Sequence, residues 1–256
     1  MGTAVPYQAL APYYNRVMSH VDYPGWALHL KALWRTYHGA KPPARILEIA
    51  AGTCPFASNP IFPNAFTVFT DLSPTMLRTA TRTAPGAVHE LSPRRIACDA
   101  QNLPFKKPFD LAVMIYDSLN YLLQPEDVLR AMKETHRVLQ PGGLFLFDVT
   151  TATCSRRHFA DSLDFEELDG CTSVRASRYD AATRLQLNLF TLFVAGADGR
   201  YDRREEVHRQ RIYPIATLRR LAGRAGFTVK ACLADFSFNP GTERSERLHF
   251  VLQKDS

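Results

Sequence analysis

Glu48, Gly52 and Asp71 are the residues whose types and spacing first suggest chemistry. The run Arg45-Ile46-Leu47-Glu48-Ile49 gives way to small residues, Ala50-Ala51-Gly52-Thr53-Cys54, and a second apolar run, Phe66-Thr67-Val68-Phe69-Thr70, ends at Asp71. Small residues let a backbone come close to a ligand. An acid about 20 residues beyond such a turn suits the two hydroxyls of a ribose. A dinucleotide turn would read G-x-G-x-x-G, because its backbone must cradle a pyrophosphate. Only Gly52 remains here, so the pattern points to a nucleoside without phosphates rather than to NAD or FAD. The bland alternative is a βαβ unit that binds nothing.

A second set could move protons or hold a substrate. Tyr116-Asp117-Ser118-Leu119-Asn120-Tyr121 follows the apolar run 109–115, and ligands of open α/β sheets lie beyond the carboxyl ends of the strands. The acid–base candidates are His208, His158 and Asp117. His208 is preferred, since it falls on a strand of an expected cap and imidazole titrates near neutrality; a surface histidine is the competing reading. Asp117, Asn120 and Tyr121 either hold a substrate or cap the following helix, and His158 and Arg211 complete the expected substrate-facing set. Tyr13, Tyr14 and Tyr23 lie on an N-terminal arm that could close over a ligand. The other histidines, His89 among them, have no His or Cys at ligand spacing, so no metal site is expected.

Several elements must position these groups. Tyr7, Leu10, Tyr14 and Val17, then Trp26, Leu30, Leu33 and Trp34, recur at helical spacing and predict a helical arm over 1–40. Strands are expected at 45–50, 66–71, 95–98, 109–115 and 144–148. Pro55, Pro60 and Pro63 break the helix that should follow the first strand. Ser73 caps a helix opened by Pro74. A helix over 125–139 stops at a turn, Pro141-Gly142-Gly143. The alternating segments 172–180, 184–194 and 201–213 predict antiparallel strands; a helix over 215–225 and strands near 227–235 and 248–253 close the chain. The expected fold class is a doubly wound, mostly parallel seven-stranded Rossmann-like α/β sheet with an antiparallel β insertion capping the site. The expected division is an arm over 1–40, a core over 41–150 and 214–256, and a cap over 151–213.

With 256 residues, 46% of them hydrophobic, the chain can bury a full core. No stretch reaches the roughly 18 apolar residues of a membrane span, and no continuous apolar run opens the chain as a signal peptide would. The five cysteines are odd in number and never C-x-x-C, which reads as free thiols of a reducing, cytoplasmic compartment. The net charge of +6 admits a nucleic-acid partner. However, the arginines are scattered, and Arg203-Arg204 meets Glu205-Glu206 at once, which favours a solvated surface.

In order and spacing, Leu47-Glu48-Ile49-Ala50-Ala51-Gly52-Thr53, Asp71-Leu72-Ser73-Pro74-Thr75-Met76-Leu77, Asp99-Ala100, Tyr116 to Leu122 and Arg137 to Gly143 together resemble the class I S-adenosylmethionine-dependent methyltransferases. The segment Glu206-Val207-His208-Arg209-Gln210-Arg211 and the turn Ala225-Gly226-Phe227 are similar to a bacterial small-molecule branch, laid out like amino-sugar and glycine N-methyltransferases. The resemblance implies S-adenosyl-L-methionine as cofactor. By the same resemblance, Glu48, Ala50 and Gly52 lie in the turn beside its methionine part, Asp71 accepts the ribose hydroxyls, Leu72 and Met76 border adenine, Asp99 and Ala100 meet the adenine amino group, Tyr116 lies near the methionine end and Tyr14 closes over the sulfonium. The implied reaction is methyl transfer to a nitrogen or oxygen of a small-molecule acceptor. Ala50 and Cys54 stand where the family commonly has glycine, and Cys54-Pro55 adds a side chain and removes an amide donor. That departure keeps a non-catalytic cofactor-binding protein of the same fold open beside an enzyme acting on RNA or protein.

Overall fold

The structure, a computed structural model, describes residues 6–79 and 94–255; His89 and the first five residues lie outside them. Its main sheet is set by strands that are apolar on both faces. Residues from β1 (Arg45–Ile49), β2 (Phe66–Asp71), β4 (Phe109–Met114) and β5 (Leu139–Thr150) are sent alternately to two cores. Leu47, Ala112, Phe145 and Phe147 join one core, and Ile46, Leu111, Val113 and Leu146 join the other. Period-two side chains with both faces covered give the near-continuous apolar runs of a parallel sheet. Helices α4 (Pro125–Val138) and α6 (Ile215–Arg224) cover the first face with Val128, Met132, Leu218 and Leu221. Helix α2 (Tyr23–Tyr37) covers the second with Trp26, Leu30, Leu33 and Trp34.

Together with β3 (Arg94–Ala97), β10 (Phe227–Ala234) and β11 (Arg247–Lys254), these strands form a seven-stranded sheet of order β10-β11-β5-β4-β1-β2-β3. Among the described strands of this sheet, β11 alone runs against the common direction. The order reverses between β1 and β4, which opens a crevice at their carboxyl ends. A second, four-stranded antiparallel sheet, β6 (Asp161–Leu168), β7 (Cys171–Asp180), β8 (Leu185–Ala195) and β9 (Tyr201–Arg211), is inserted between β5 and α6. The mostly parallel Rossmann-like sheet and the antiparallel insertion are both present as the sequence implies.

Three local expectations change. The first helix of the arm is short: α1 spans only Tyr14–Val17, and residues 6–13 run as turns with Tyr7 at φ +63°. Pro12 removes an amide there, and the amides of Tyr7, Ala9 and Leu10 bond to a side chain, as described below. Pro141-Gly142-Gly143 is not a turn outside the strand but a bulge within β5, where the pairing steps from Phe109↔Leu139 to Leu111↔Leu144. Gly142 takes φ +78°, and a Cβ on Gly143 would sit 2.9 Å from Gln140 O, so glycine is required at both places. Finally, α5 (Ala152–His158) and β6 fill what reads as loop; β6 is an exposed edge strand without an apolar face turned to the core. No helix among the described residues is long and apolar enough to cross a membrane.

Candidate active site

The crevice begins with the turn after β1. Ala50, Gly52 and Cys54 all take left-handed backbone angles, φ +55°, +57° and +56°. The alternate positions that favour glycine therefore keep a glycine-like path although two of them carry side chains, at a cost of roughly 1–2 kcal/mol each. Cys54 points its side chain into the core and is 3% exposed; Pro55 opens a single 3-10 turn, Pro55–Ala57. Cys54 thus stays out of the crevice, while Pro55 lines it. A Cβ on Gly52 would lie 3.3 Å from the Met76 methyl.

Asp71 closes this turn from the end of β2. Its Oδ2 accepts from Gly52 N at 2.7 Å and its Oδ1 from Ser73 N at 2.7 Å. Each carboxylate oxygen keeps a further lone pair for a ligand. Burial pushes the Asp71 carboxyl up, against these two amides. Ser73 Oγ in turn accepts from Met76 N, capping α3 (Pro74–Thr79). Glu48 is 2% exposed, and its Oε2 has no partner among the described residues. Burial, then the nearby Asp71, raise its carboxyl well above the ordinary value.

These groups line a cavity of about 510 Å³ with Ala50, Leu72, Met76, Tyr14, Tyr116 and others. A second cavity of about 530 Å³ lies between the sheet edge and the inner face of the cap. Tyr7, Tyr14, Tyr116 and Tyr121 line both, so a wall of four tyrosines separates two chambers. Burial pushes the phenols of Tyr7, Tyr14 and Tyr121 well up, so they serve as neutral hydroxyls. Tyr116 and Asp117 stand consecutively at φ +60° and +51°. This strained corner after β4 turns Tyr116 to both chambers and Asp117 to the second.

The cap supplies the rest of the second chamber from alternating positions. Glu206, His208 and Gln210 share the inner face of β9, opposite Phe190, Asn188 and Gln186 of β8. His208 is 1% exposed; its Nε2 lies 3.0 Å from Glu206 Oε1 and its Nδ1 2.9 Å from Tyr121 Oη. Tyr7 Oη donates to Tyr121 Oη at 2.7 Å. Glu206 also accepts from three amides of the arm, Tyr7 N at 2.8 Å, Leu10 N at 2.9 Å and Ala9 N. Burial alone would push Glu206 up, but the bonds from His208 and from Leu10, Ala9 and Tyr7 outweigh it and hold the carboxyl below its ordinary range.

Asp117 is held from two sides. Gln210 Nε2 donates to its Oδ2, at 2.5 Å, and Arg247 Nη1 donates to its Oδ1 at 3.0 Å. Arg247 also contacts fully buried Asp148 and stacks on Tyr116 at 5.2 Å. Burial pushes Asp148 up to about 6, with Arg247 pulling the other way.

The structure brings Tyr14, Glu48, Ala50, Gly52, Asp71, Leu72, Met76 and Tyr116 to the first chamber, and His208, Asp117, Tyr121 and His158 to the second. His158 stands at its rim, 3.3 Å from Glu246. Four expected residues are placed elsewhere. Asp99 and Ala100 line neither chamber, and Asp99 Oδ1 accepts from Gln101 N at 2.9 Å. Asn120 is fully buried, donating to Arg211 O and accepting from Thr150 N, and so ties the corner to both sheets. Arg211 points away from the chamber, to Leu123 O at 3.0 Å. Reading past His208 with a period of two selects Glu206 and Gln210 and rejects Arg211. Tyr7 carried no signal beyond its aromatic ring. Among the described residues, no three His, Cys, Asp or Glu side chains cluster as metal ligands.

Residues 46–143 match the methyltransferase domain family. A protein of Geobacillus sp. (strain WCH70), provisionally named a methyltransferase, is 30% identical over 249 residues, 97% of this chain and 99% of that protein. The fold is similar to that of an S-adenosylmethionine-dependent methyltransferase from Clostridium acetobutylicum ATCC 824, with TM-score 0.79, 21% identity and 98% and 99% of the two chains covered. It is also similar to the sugar N-methyltransferase KedS8 from Streptoalloteichus sp ATCC 53650, with TM-score 0.74, 21% identity and 100% and 96% covered. A crevice at the strand-order reversal, an acid gripping the turn that lines it, and this full-length relationship converge on one family: the chain belongs to the S-adenosylmethionine-dependent methyltransferases.

Proposed function

We propose that the protein transfers a methyl group to a nitrogen or oxygen of a small-molecule acceptor held in the second chamber. One observation carries this reading: two chambers of about 510 and 530 Å³ meet at a shared wall of tyrosines. A chamber of that volume takes a metabolite-sized molecule, and the likeness to a sugar N-methyltransferase supports a small acceptor. Bound S-adenosylmethionine supplies an electrophilic methyl group on a sulfonium. Unpartnered Glu48 Oε2 suits the ammonium of its methionine part, Asp71 its ribose hydroxyls, and Leu72 and Met76 its adenine. The tyrosine faces suit a sulfonium cation.

The protein's own part is to align the acceptor, exclude water and take up a proton. Asp117, fixed by Gln210 and Arg247, orients donors on the acceptor. Asn188 Oδ1, with no partner among the described residues, faces the same chamber's contents. His208 is the proton acceptor. Titration with S-adenosylhomocysteine followed by calorimetry, then labelled methyl transfer to a panel of amino sugars, amines and polyols, tests the reading. Heat together with transfer to one of these classes supports it, and the absence of heat refutes it. A His208→Ala variant with an unchanged rate across pH would remove His208 from the chemistry.

A further inference from the structure

His208 is buried, and both ring nitrogens are engaged within the protein. Although the ring lines the second chamber, its nitrogens therefore reach that chamber's contents only through their partners. The partners fix the direction of every proton. An ionised carboxylate can only accept, so Glu206 Oε1 requires the hydrogen on His208 Nε2. Nδ1 is then an acceptor, and it takes the Tyr121 hydroxyl hydrogen at 2.9 Å. Tyr121 Oη, having given its hydrogen, accepts from Tyr7 Oη at 2.7 Å. No described residue donates to Tyr7 Oη, and Tyr7 lines both chambers.

The same carboxylate builds the start of this chain. Tyr7 stands on the arm at φ +63°, a conformation a tyrosine keeps only when its surroundings impose it. Glu206 imposes it through the amides of Tyr7, Ala9 and Leu10, while Ser73 Oγ contacts Tyr7 O at 3.3 Å from the cofactor side. Resting on the methyl-transfer reading above, we infer that Glu206 is a positioning residue: it sets the His208 tautomer and seats the arm together, completing a one-way proton chain from the acceptor through Tyr7 and Tyr121 to His208. The balance is simple. The acceptor's N–H or O–H proton passes to Tyr7 Oη, the Tyr7 proton to Tyr121 Oη, and the Tyr121 proton to His208 Nδ1. The acceptor loses one proton, both tyrosines end neutral, and the imidazolium forms 3.0 Å from the Glu206 carboxylate.

Nitrogen-15 spectra and amide exchange of the full chain, with S-adenosylhomocysteine as the probe, test this without an acceptor. The wild type should show His208 protonated at Nε2 and slow exchange at Ala9 and Leu10. Glu206→Ala should speed that exchange by about tenfold or more and abolish the tautomer preference, since the charged partner of both is gone. Glu206→Gln offers a single acceptor oxygen. It should keep either the Nε2–H tautomer or the arm's protection and lose the other, and Glu206→Asp should restore part of both. Tyr121→Phe should move the Nδ1 resonance while leaving arm exchange unaltered. A wild-type His208 protonated at Nδ1, or unchanged exchange in folded Glu206→Ala, overturns the inference. Should Glu206→Ala fail to fold, an unmoved Nδ1 resonance in Tyr121→Phe overturns it instead. A wild type with the tautomer and the protection but no heat with S-adenosylhomocysteine overturns the methyl-transfer reading and leaves the clamp standing.

Discussion

The two chambers are built on opposite plans. The first is made by the main chain: a turn with three left-handed residues, the amides that bind Asp71, and the carboxyl ends of parallel strands. The second is made by side chains alternating along antiparallel strands, Gln186, Asn188, His208 and Gln210 among them. A backbone-built site tolerates substitution of what surrounds it as long as the path holds. A site built from alternating side chains can be remade residue by residue while its strands stay paired. The contrast fits the proposed division, with the cofactor in the first chamber and the acceptor in the second.

The largest expected effect lies where the two plans join. Arg247→Met would leave Asp148 and Asp117 without their cation, at a cost of about 3–5 kcal/mol, read as a large fall in Tm. An unchanged Tm would show that the junction is not what holds corner and sheet together. Next, Asp71→Ala should weaken S-adenosylhomocysteine binding by about 100-fold, on the scale of two hydrogen bonds to a charged group. Gln210→Leu should leave that affinity nearly untouched. Equal losses in calorimetry would erase the distinction between the chambers. Glu48 sharpens it further. Its raised carboxyl should be driven to ionise when a cation docks beside it, so binding releases a proton and affinity rises with pH through the interval between the bound and free values. Binding heats that do not vary with the buffer's ionisation enthalpy would count against this. The smallest effect is Ala50→Gly, which relieves a left-handed alanine against some gain in unfolded-state entropy, a net stabilisation of about 0.5–1 kcal/mol. A loss of stability on thermal unfolding would mean that the turn depends on the methyl group.

What could be read from the sequence follows the same divide. Leu47 to Gly52 and Asp71 are contiguous with the strands that place them, so local pattern located the first chamber. Asp99 was the exception, because an acid at a strand end can turn inward or serve its own loop, and here it binds Gln101 N. In the second chamber, strand β9 was legible and His208 stood out, yet Arg211 was grouped with it although three residues apart on a strand means opposite faces. Asn120 was read as holding a substrate or capping the following helix, whereas its amide joins Arg211 O to Thr150 N, a pairing 91 and 30 residues distant in sequence. Tyr7 and Glu206 meet across 199 residues, and no spacing rule reaches that far.

Pro6, Tyr7 and Gln8 line the first chamber and Tyr7 lines the second as well, so one short segment borders both. Displacing that segment, whose amides meet Glu206 and whose Tyr7 also meets Ser73 and Tyr121, would widen both chambers at once.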